Sequence, residues 1–282
     1  MNVSESALRV VADGLEFPES PRWHDNKLIF SDVRGRRVYS ISQTGAPPEA
    51  IVDVPLRPSG LGWLPDGEML IVSMEDRRVV TVTPQGLVTR ADLSGLARGP
   101  CNDMVVGGNG NAYVGDVGYE VFSGAAARPG VLMFVPLNGP ACVVAEDVLE
   151  GNGIVLTTDE TVLLIAETQG ARITRFNVNT DGTLSSRGVF APLPSWPDGI
   201  CLDADGCVWA ALPALGTLVR VEEGGNVIDS VDCGDYVSAC MLGGVARRTL
   251  FMTSADPGFA DGRTGTGRIR ALEVQVPGAG LP

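Results

Sequence analysis

A single histidine, His24, stands in 282 residues. An imidazole-based zinc centre needs two or three such ligands, so this chain cannot build one. A Ser-His-Asp triad would have to use the same His24, which the following Asp25-Asn26 places in an exposed turn, and no Gly-x-Ser-x-Gly elbow presents a serine. The six cysteines, at 101, 142, 201, 207, 233 and 240, lack any CxxC spacing and read as reduced, mostly buried apolar side chains. Cys201 and Cys207 flank the turn Asp203-Ala204-Asp205-Gly206, so a hairpin there could set them face to face. Basic residues are scarce: 21 Lys and Arg against 34 Asp and Glu leave a net charge of −13. The densest basic cluster is Arg34, Arg36 and Arg37 in an expected turn, which offers no cationic footprint for nucleic acid or an anionic membrane. Glycine runs such as Gly107-Gly108-Asn109-Gly110 lack phosphate-loop spacing. No apolar run approaches membrane-spanning length, and residues 1–6 carry neither a basic segment nor a signal-length apolar core. These absences point to a soluble cytoplasmic protein, a monomer or weak homo-oligomer, whose partner is a small molecule.

What is present is glycine, proline and short apolar runs. With 36 Gly, 19 Pro, 44% hydrophobic and 20% charged residues, the composition suits many short strands joined by tight turns. One plan recurs: a polar residue, usually beside a small one, opens a short apolar strand; a turn rich in Asp, Gly or Asn follows; a second apolar strand leads away. Glu19, Ser59, Asn102, Asn152, Asp198 and Ser238 open the six units, at intervals of 40, 43, 50, 46 and 40 residues. That period matches one four-stranded blade per unit, and six units make a closed ring. The expectation is an all-β, six-bladed β-propeller, residues 1–282 forming one domain.

The ends of the chain support closure. A strand at residues 8–12 precedes the first unit and another at 269–274 follows the last, and pairing the two would remove both exposed edges. Second hairpin strands are legible at 38–41, 79–82, 131–134, 173–176 and 218–221, each near a turn such as Thr44-Gly45, Gln85-Gly86, Asn138-Gly139, Asp181-Gly182 or Gly224-Gly225. Two insertions, residues 119–130 and 255–267, interrupt the third and sixth units and are candidates for a pocket rim.

In a propeller the innermost strands run along the central channel, so the openers converge on its axis. Glu19, Asn102, Asn152 and Asp198 form an all-oxygen set that suits a hard divalent cation, although Asp, Asn and Glu are also common turn-formers at strand starts. The stretches Gly14 to Trp23, Cys101-Asn102-Asp103, Asn152-Gly153-Ile154 with Thr158-Asp159, and Pro197-Asp198-Gly199-Ile200 with Leu202-Asp203 resemble the senescence marker protein, gluconolactonase and luciferin-regenerating enzyme family. The resemblance runs through all six units. It implies one divalent metal in the channel, Ca²⁺ first with Zn²⁺, Mg²⁺ or Mn²⁺ as alternatives, held by Glu19, Asn152 and Asp198. It further implies that Asn102 acts near the metal through substrate or water, and that Glu120 contacts a substrate hydroxyl.

The chain departs from the family's pattern at three places. Pro100 stands where sugar-lactone members have an arginine two positions before the equivalent of Asn102, Met104 replaces the glycine after the Asn-Asp pair, and Gly151 replaces the proline before Asn152. Aromatic residues placed near the mouth, Phe17, Tyr119, Phe122 and Trp196, suit a less polar substrate. The implied activity is metal-assisted hydrolysis of a lactone or related ester, with Asp198 and Asn102 catalytic, and Asn102, Glu120, Tyr119, Trp196 and Phe17 binding substrate. A phosphotriesterase, a metal-dependent lyase or hydratase, and a non-catalytic ligand-binding propeller are the alternatives on the same scaffold.

Overall fold

The computed structural model describes residues 2–43 and 47–280. Each of the first five units folds as a four-stranded antiparallel sheet, the sixth supplies three strands of such a sheet, and the six sheets are the blades of a propeller. The innermost strands are Pro18–His24, Pro58–Trp63, Cys101–Val106, Gly151–Leu156, Ile200–Leu202 and Tyr236–Gly243, each the first of its unit. Each touches the next, and the last touches the first, which closes the ring around a channel. The expected second hairpin strands are all present; the expected turn at Thr44-Gly45 lies outside the described residues.

Closure follows the expected route. Arg9–Leu15 pairs antiparallel with Gly267–Glu273, so the N-terminal strand becomes the outermost strand of the sixth blade. Asn2–Val3 adds a short parallel pair to Val227–Asp232 of blade 5, tying the chain start across two blades. The two insertions carry short 3-10 turns, Val121–Ser123 and Pro257–Asp261. Among the described residues no helix is long and apolar enough to cross a membrane.

The core lies between the blades, where alternating strand residues from adjacent sheets interdigitate, as Trp23 and Phe251 do across blades 1 and 6 with stacked rings 5.6 Å apart. Near the axis the inner strands approach too closely for side chains. A Cβ on Gly153 would stand 2.5 Å from the backbone nitrogen of Ile200 in the next blade. This explains why a glycine so often follows the opener. Gly153→Ala is expected to lower stability by about 1–3 kcal/mol, the usual cost of overpacking, measured as a shift in the urea unfolding midpoint.

Two local expectations are corrected. His24 is not an exposed turn residue: it ends the first inner strand, half-buried, with its ring stacked 4.0 Å from that of Trp63. Cys201 faces not Cys207 but Cys240 of the sixth blade, Sγ to Sγ 3.6 Å, because Trp209 is its partner across the hairpin. All six cysteines are free thiols, five buried and Cys142 exposed.

Candidate metal centre

The pairing of the inner strand with its neighbour is interrupted where the openers sit. The ladder skips between Glu19 and Arg22, Pro58 and Leu61, Cys101 and Met104, Gly151 and Ile154, and Val237 and Ala239. Such bulges release residues from the ladder and re-aim their side chains. Ser59, Asn102, Asn152 and Ser238 lie within these interruptions and Glu19 at the edge of one. In blade 5 the equivalent, Asp198, precedes its strand and is anchored by its backbone N–H to the Ala211 carbonyl, 3.0 Å.

Glu19, Asn152 and Asp198 come together on the axis. The Asp198 carboxyl is buried, with the Glu19 and Asn152 side chains near enough to act on it, and the Asp198 backbone carbonyl accepts from the Gly153 N–H beside Asn152 at 3.3 Å. Burial, the nearby charge of Glu150 and that of Asp103 push it up to about 8, against the smaller opposing effects of Asn152 and Glu19. Glu19 is also raised well above its ordinary value, by burial and then by Asp198, although the Ser20 backbone N–H donates to its Oε2 at 2.6 Å. Thr168 orients the amide between them: Asn152 Nδ2 donates to Thr168 Oγ1 (3.3 Å), whose hydroxyl donates to the Pro197 carbonyl (2.8 Å). Asn102 stands one blade away, accepting from Ser59 Oγ (3.1 Å) and donating to the Gly151 carbonyl (3.2 Å). The serine openers stitch neighbouring blades together, Ser238 Oγ donating to the Pro18 carbonyl at 2.8 Å.

The donors fit a hard divalent cation. Two buried carboxylates in contact cannot both ionise without a counter-charge, and the amide beside them adds a neutral oxygen. Among the described residues no three His, Cys, Asp or Glu side chains gather as metal ligands. Both carboxyls prefer their protons when no cation is bound, whereas unfolded carboxyls titrate near ~4. The stability that Asp198 contributes to the metal-free protein is therefore complete below that pH and is lost as pH rises through about 8, and the raised Glu19 acts in the same direction. The expected result in chelator is a melting midpoint that falls between pH 5 and pH 8 more steeply in wild type than in Asp198→Asn.

A further ring of residues lies two positions before each opener: Phe17, Arg57, Pro100, Glu150, Trp196 and Tyr236. Three form an aromatic arc across blades 5, 6 and 1, with the Tyr236 ring 6.3 Å from Trp196 and 5.9 Å from Phe17. Tyr236 borders the carboxylates, whose charges add to burial in raising its hydroxyl. Glu150 holds the opposite side, its Oε2 accepting from Tyr119 Oη (2.9 Å) and Gln169 Nε2 (3.0 Å). Arg57 turns to Glu75 at 2.5 Å and lies 4.4 Å over the exposed Phe122 ring. Glu120 is exposed and ion-paired with Arg77. Tyr236 and Glu150 were not among the sequence candidates, yet the shared offset of two residues marks both.

A family model described as "SMP-30/Gluconolactonase/LRE-like region" matches residues 17–256. Over 272 residues the chain is 25% identical to the pentonolactonase XacC of Haloferax volcanii, covering 92% of this chain and 88% of that protein. It is likewise 25% identical to regucalcin of Xenopus laevis over 266 residues, 89% of this chain and 87% of the other. Among solved structures, a calcium-binding protein, regucalcin, from Agrobacterium tumefaciens superposes with a TM-score of 0.84 at 20% identity, covering 100% of this chain and 98% of that one.

Proposed function

The chain belongs to the SMP-30/gluconolactonase/LRE-like family, and on that premise we propose that it is a single-domain, divalent-metal-dependent hydrolase that opens a lactone ring. The observation that carries the reading is the contact of two buried carboxylates, Glu19 and Asp198, with the Asn152 amide on the channel axis. The pentonolactonase among its relatives supports a lactone as the substrate, and the regucalcin named a calcium-binding protein supports Ca²⁺.

Glu19, Asn152 and Asp198 would hold the cation, which when bound supplies Lewis-acid polarisation of a carbonyl oxygen. Asp198 takes a proton from the water that attacks the lactone carbonyl carbon. As the new C–O bond forms and the ring C–O bond breaks, the proton passes from Asp198 to the departing ring oxygen, leaving a hydroxy acid. Asn102, held by hydrogen bonds to Ser59 and Gly151, would meet the substrate beside the carboxylates. The aromatic arc of Phe17, Tyr236 and Trp196 offers an apolar wall to the ring and limits water in the channel.

The test couples metal analysis of the purified protein to a pH-indicator screen of lactones. Chelation is expected to abolish turnover, and Ca²⁺, Mg²⁺, Mn²⁺ or Zn²⁺ to restore it. Full activity in a demonstrably metal-free preparation would overturn the mechanism, and a panel of lactones left intact by every metal-loaded form would overturn the reaction class.

A further inference from the structure

We infer that Glu150 sets the charge specificity of the channel, so that the favoured ligand presents a cationic or hydrogen-bond-donating substituent to it and ligands bearing an anionic substituent are rejected. The inference rests on the reading of this channel as the lactone site and names the class of substituent that the site accepts.

The argument begins with position. Glu150 is the fourth member of the ring two residues before each opener, and it enters blade 4 immediately before the strand that carries Asn152. Its backbone is left-handed, φ 61°, and the Thr168 N–H donates to its carbonyl at 3.0 Å, which holds the turn in place. Tyr119 and Gln169, from the loops of blades 3 and 4, both donate to Oε2. The carboxylate is thus fixed on one oxygen, while Oε1 receives no donor among the described residues.

Charge balance supplies the second step. Among the described residues no Lys or Arg lies within ion-pair distance of Glu150, whereas the nearby Asp103 is paired with Arg22 at 2.6 Å. The one arginine of the ring, Arg57, is committed to Glu75. Glu19 and Asp198 would be balanced by a divalent cation, which leaves the charge of Glu150 uncompensated. That charge reaches the channel: it acts on both Asp198 and Tyr236. Beside it Pro100, and across the channel the aromatic arc, provide no cation to receive an anionic substituent. A bound molecule therefore meets apolar rings on one side and one fixed acceptor on the other, an arrangement that attracts cations and neutral donors.

The experiment measures binding without turnover. Calorimetry on Ca²⁺-loaded protein compares a neutral six-membered lactam with its amino-substituted and carboxylate-substituted derivatives. Wild type is expected to bind the amino lactam at least about tenfold more tightly than the carboxylate lactam, and Glu150→Gln to shrink that ratio by about tenfold, as removal of one partly solvated charge implies. Tyr119→Phe, which removes a donor but keeps the charge, should preserve most of the ratio and guards against a folding defect peculiar to the Gln variant. Equal affinity of wild type for the two charged lactams, binding of none of the three, or an unchanged ratio in Glu150→Gln overturns the inference. So does a loss of more than about tenfold in Ca²⁺ affinity on that substitution, because Glu150 would then be a metal ligand. Lactone hydrolysis is assayed separately: turnover with no charge discrimination sinks this inference alone, and discrimination without turnover sinks only the hydrolase reading.

Discussion

Asp198→Asn is expected to lose about 10²–10⁴-fold in kcat while still binding a divalent cation, more weakly. The substitution keeps a ligand oxygen at the same place, since an asparagine side chain is nearly isosteric with aspartate, but removes the group that accepts the proton of the attacking water. Asn152→Ala is expected to behave differently. Asn152 offers a neutral oxygen and no base, and Thr168 holds it only in orientation, so its loss should weaken metal affinity and be recovered in part at high metal concentration by mass action. Excess metal should leave Asp198→Asn unrescued. Were Asp198→Asn restored to near wild-type turnover by added cation, Asp198 would be a ligand alone and the proton would pass to another acceptor, Glu19 being the carboxylate it already touches.

The two variants also separate the electrostatic contributions on the axis. Asp198 is raised first by burial and then by the charge of Glu150, with Asp103 contributing less. Glu19 is raised first by burial and then by Asp198. Neutralising Asp198 therefore relieves Glu19, and a metal-free Asp198→Asn protein should tolerate alkaline pH better than metal-free wild type even though it is the poorer enzyme.

Much of this architecture was legible because the repeat is written in residue types that physics constrains twice. An opener must be small or polar to sit at a bulge facing the channel, and the residue after it must leave room for the next blade, as Gly153 does against Ile200. The two constraints recur at the same place in most units, so they surface as a period. The closing strand was legible for a related reason, since an apolar segment before the first unit has nowhere else to pair. What was not legible had no such redundancy. The ring two residues before the openers shares a position but no residue type: Phe17, Arg57, Pro100, Glu150, Trp196 and Tyr236 have only their offset in common. The Asn2–Val3 pairing is too short to carry a pattern. The partner of His24, Trp63, belongs to the next blade, and so does that of Cys201, and contacts between sheets leave no trace in the local alternation. Glu120 lies within an insertion, and there the pairing with Arg77 depends on a loop path that spacing does not encode.

The buried pair Arg22–Asp103 was likewise hidden inside two motifs, and it carries the second large effect. Arg22 lies in the inner strand of blade 1 and Asp103 in that of blade 3, with their side chains 2.6 Å apart and almost wholly buried. The guanidinium also donates to the carbonyls of Leu61 (3.2 Å) and Met104 (2.9 Å), and Asp103 Oδ2 accepts from the Ile154 N–H at 3.2 Å. One ion pair thus joins the inner strands of four consecutive blades beneath the carboxylates. Arg22→Met is expected to destabilise the protein by about 3–5 kcal/mol, because it leaves Asp103 charged, buried and close to Glu19 and Asp198. Asp103→Asn keeps a hydrogen-bond acceptor but strands the guanidinium charge, and should cost a similar amount. The double variant Arg22→Met with Asp103→Asn removes both charges, and should therefore be less destabilised than the sum of the singles by about 1–3 kcal/mol in a double-mutant cycle followed by urea unfolding. Strict additivity would mean that the two side chains stabilise the ring independently, through their backbone contacts rather than through each other. A functional consequence follows from the same geometry. Arg22 is among the groups that lower the Glu19 carboxyl, so Arg22→Met should also weaken divalent-cation binding at neutral pH, where the cation must displace a proton that Glu19 then holds more tightly.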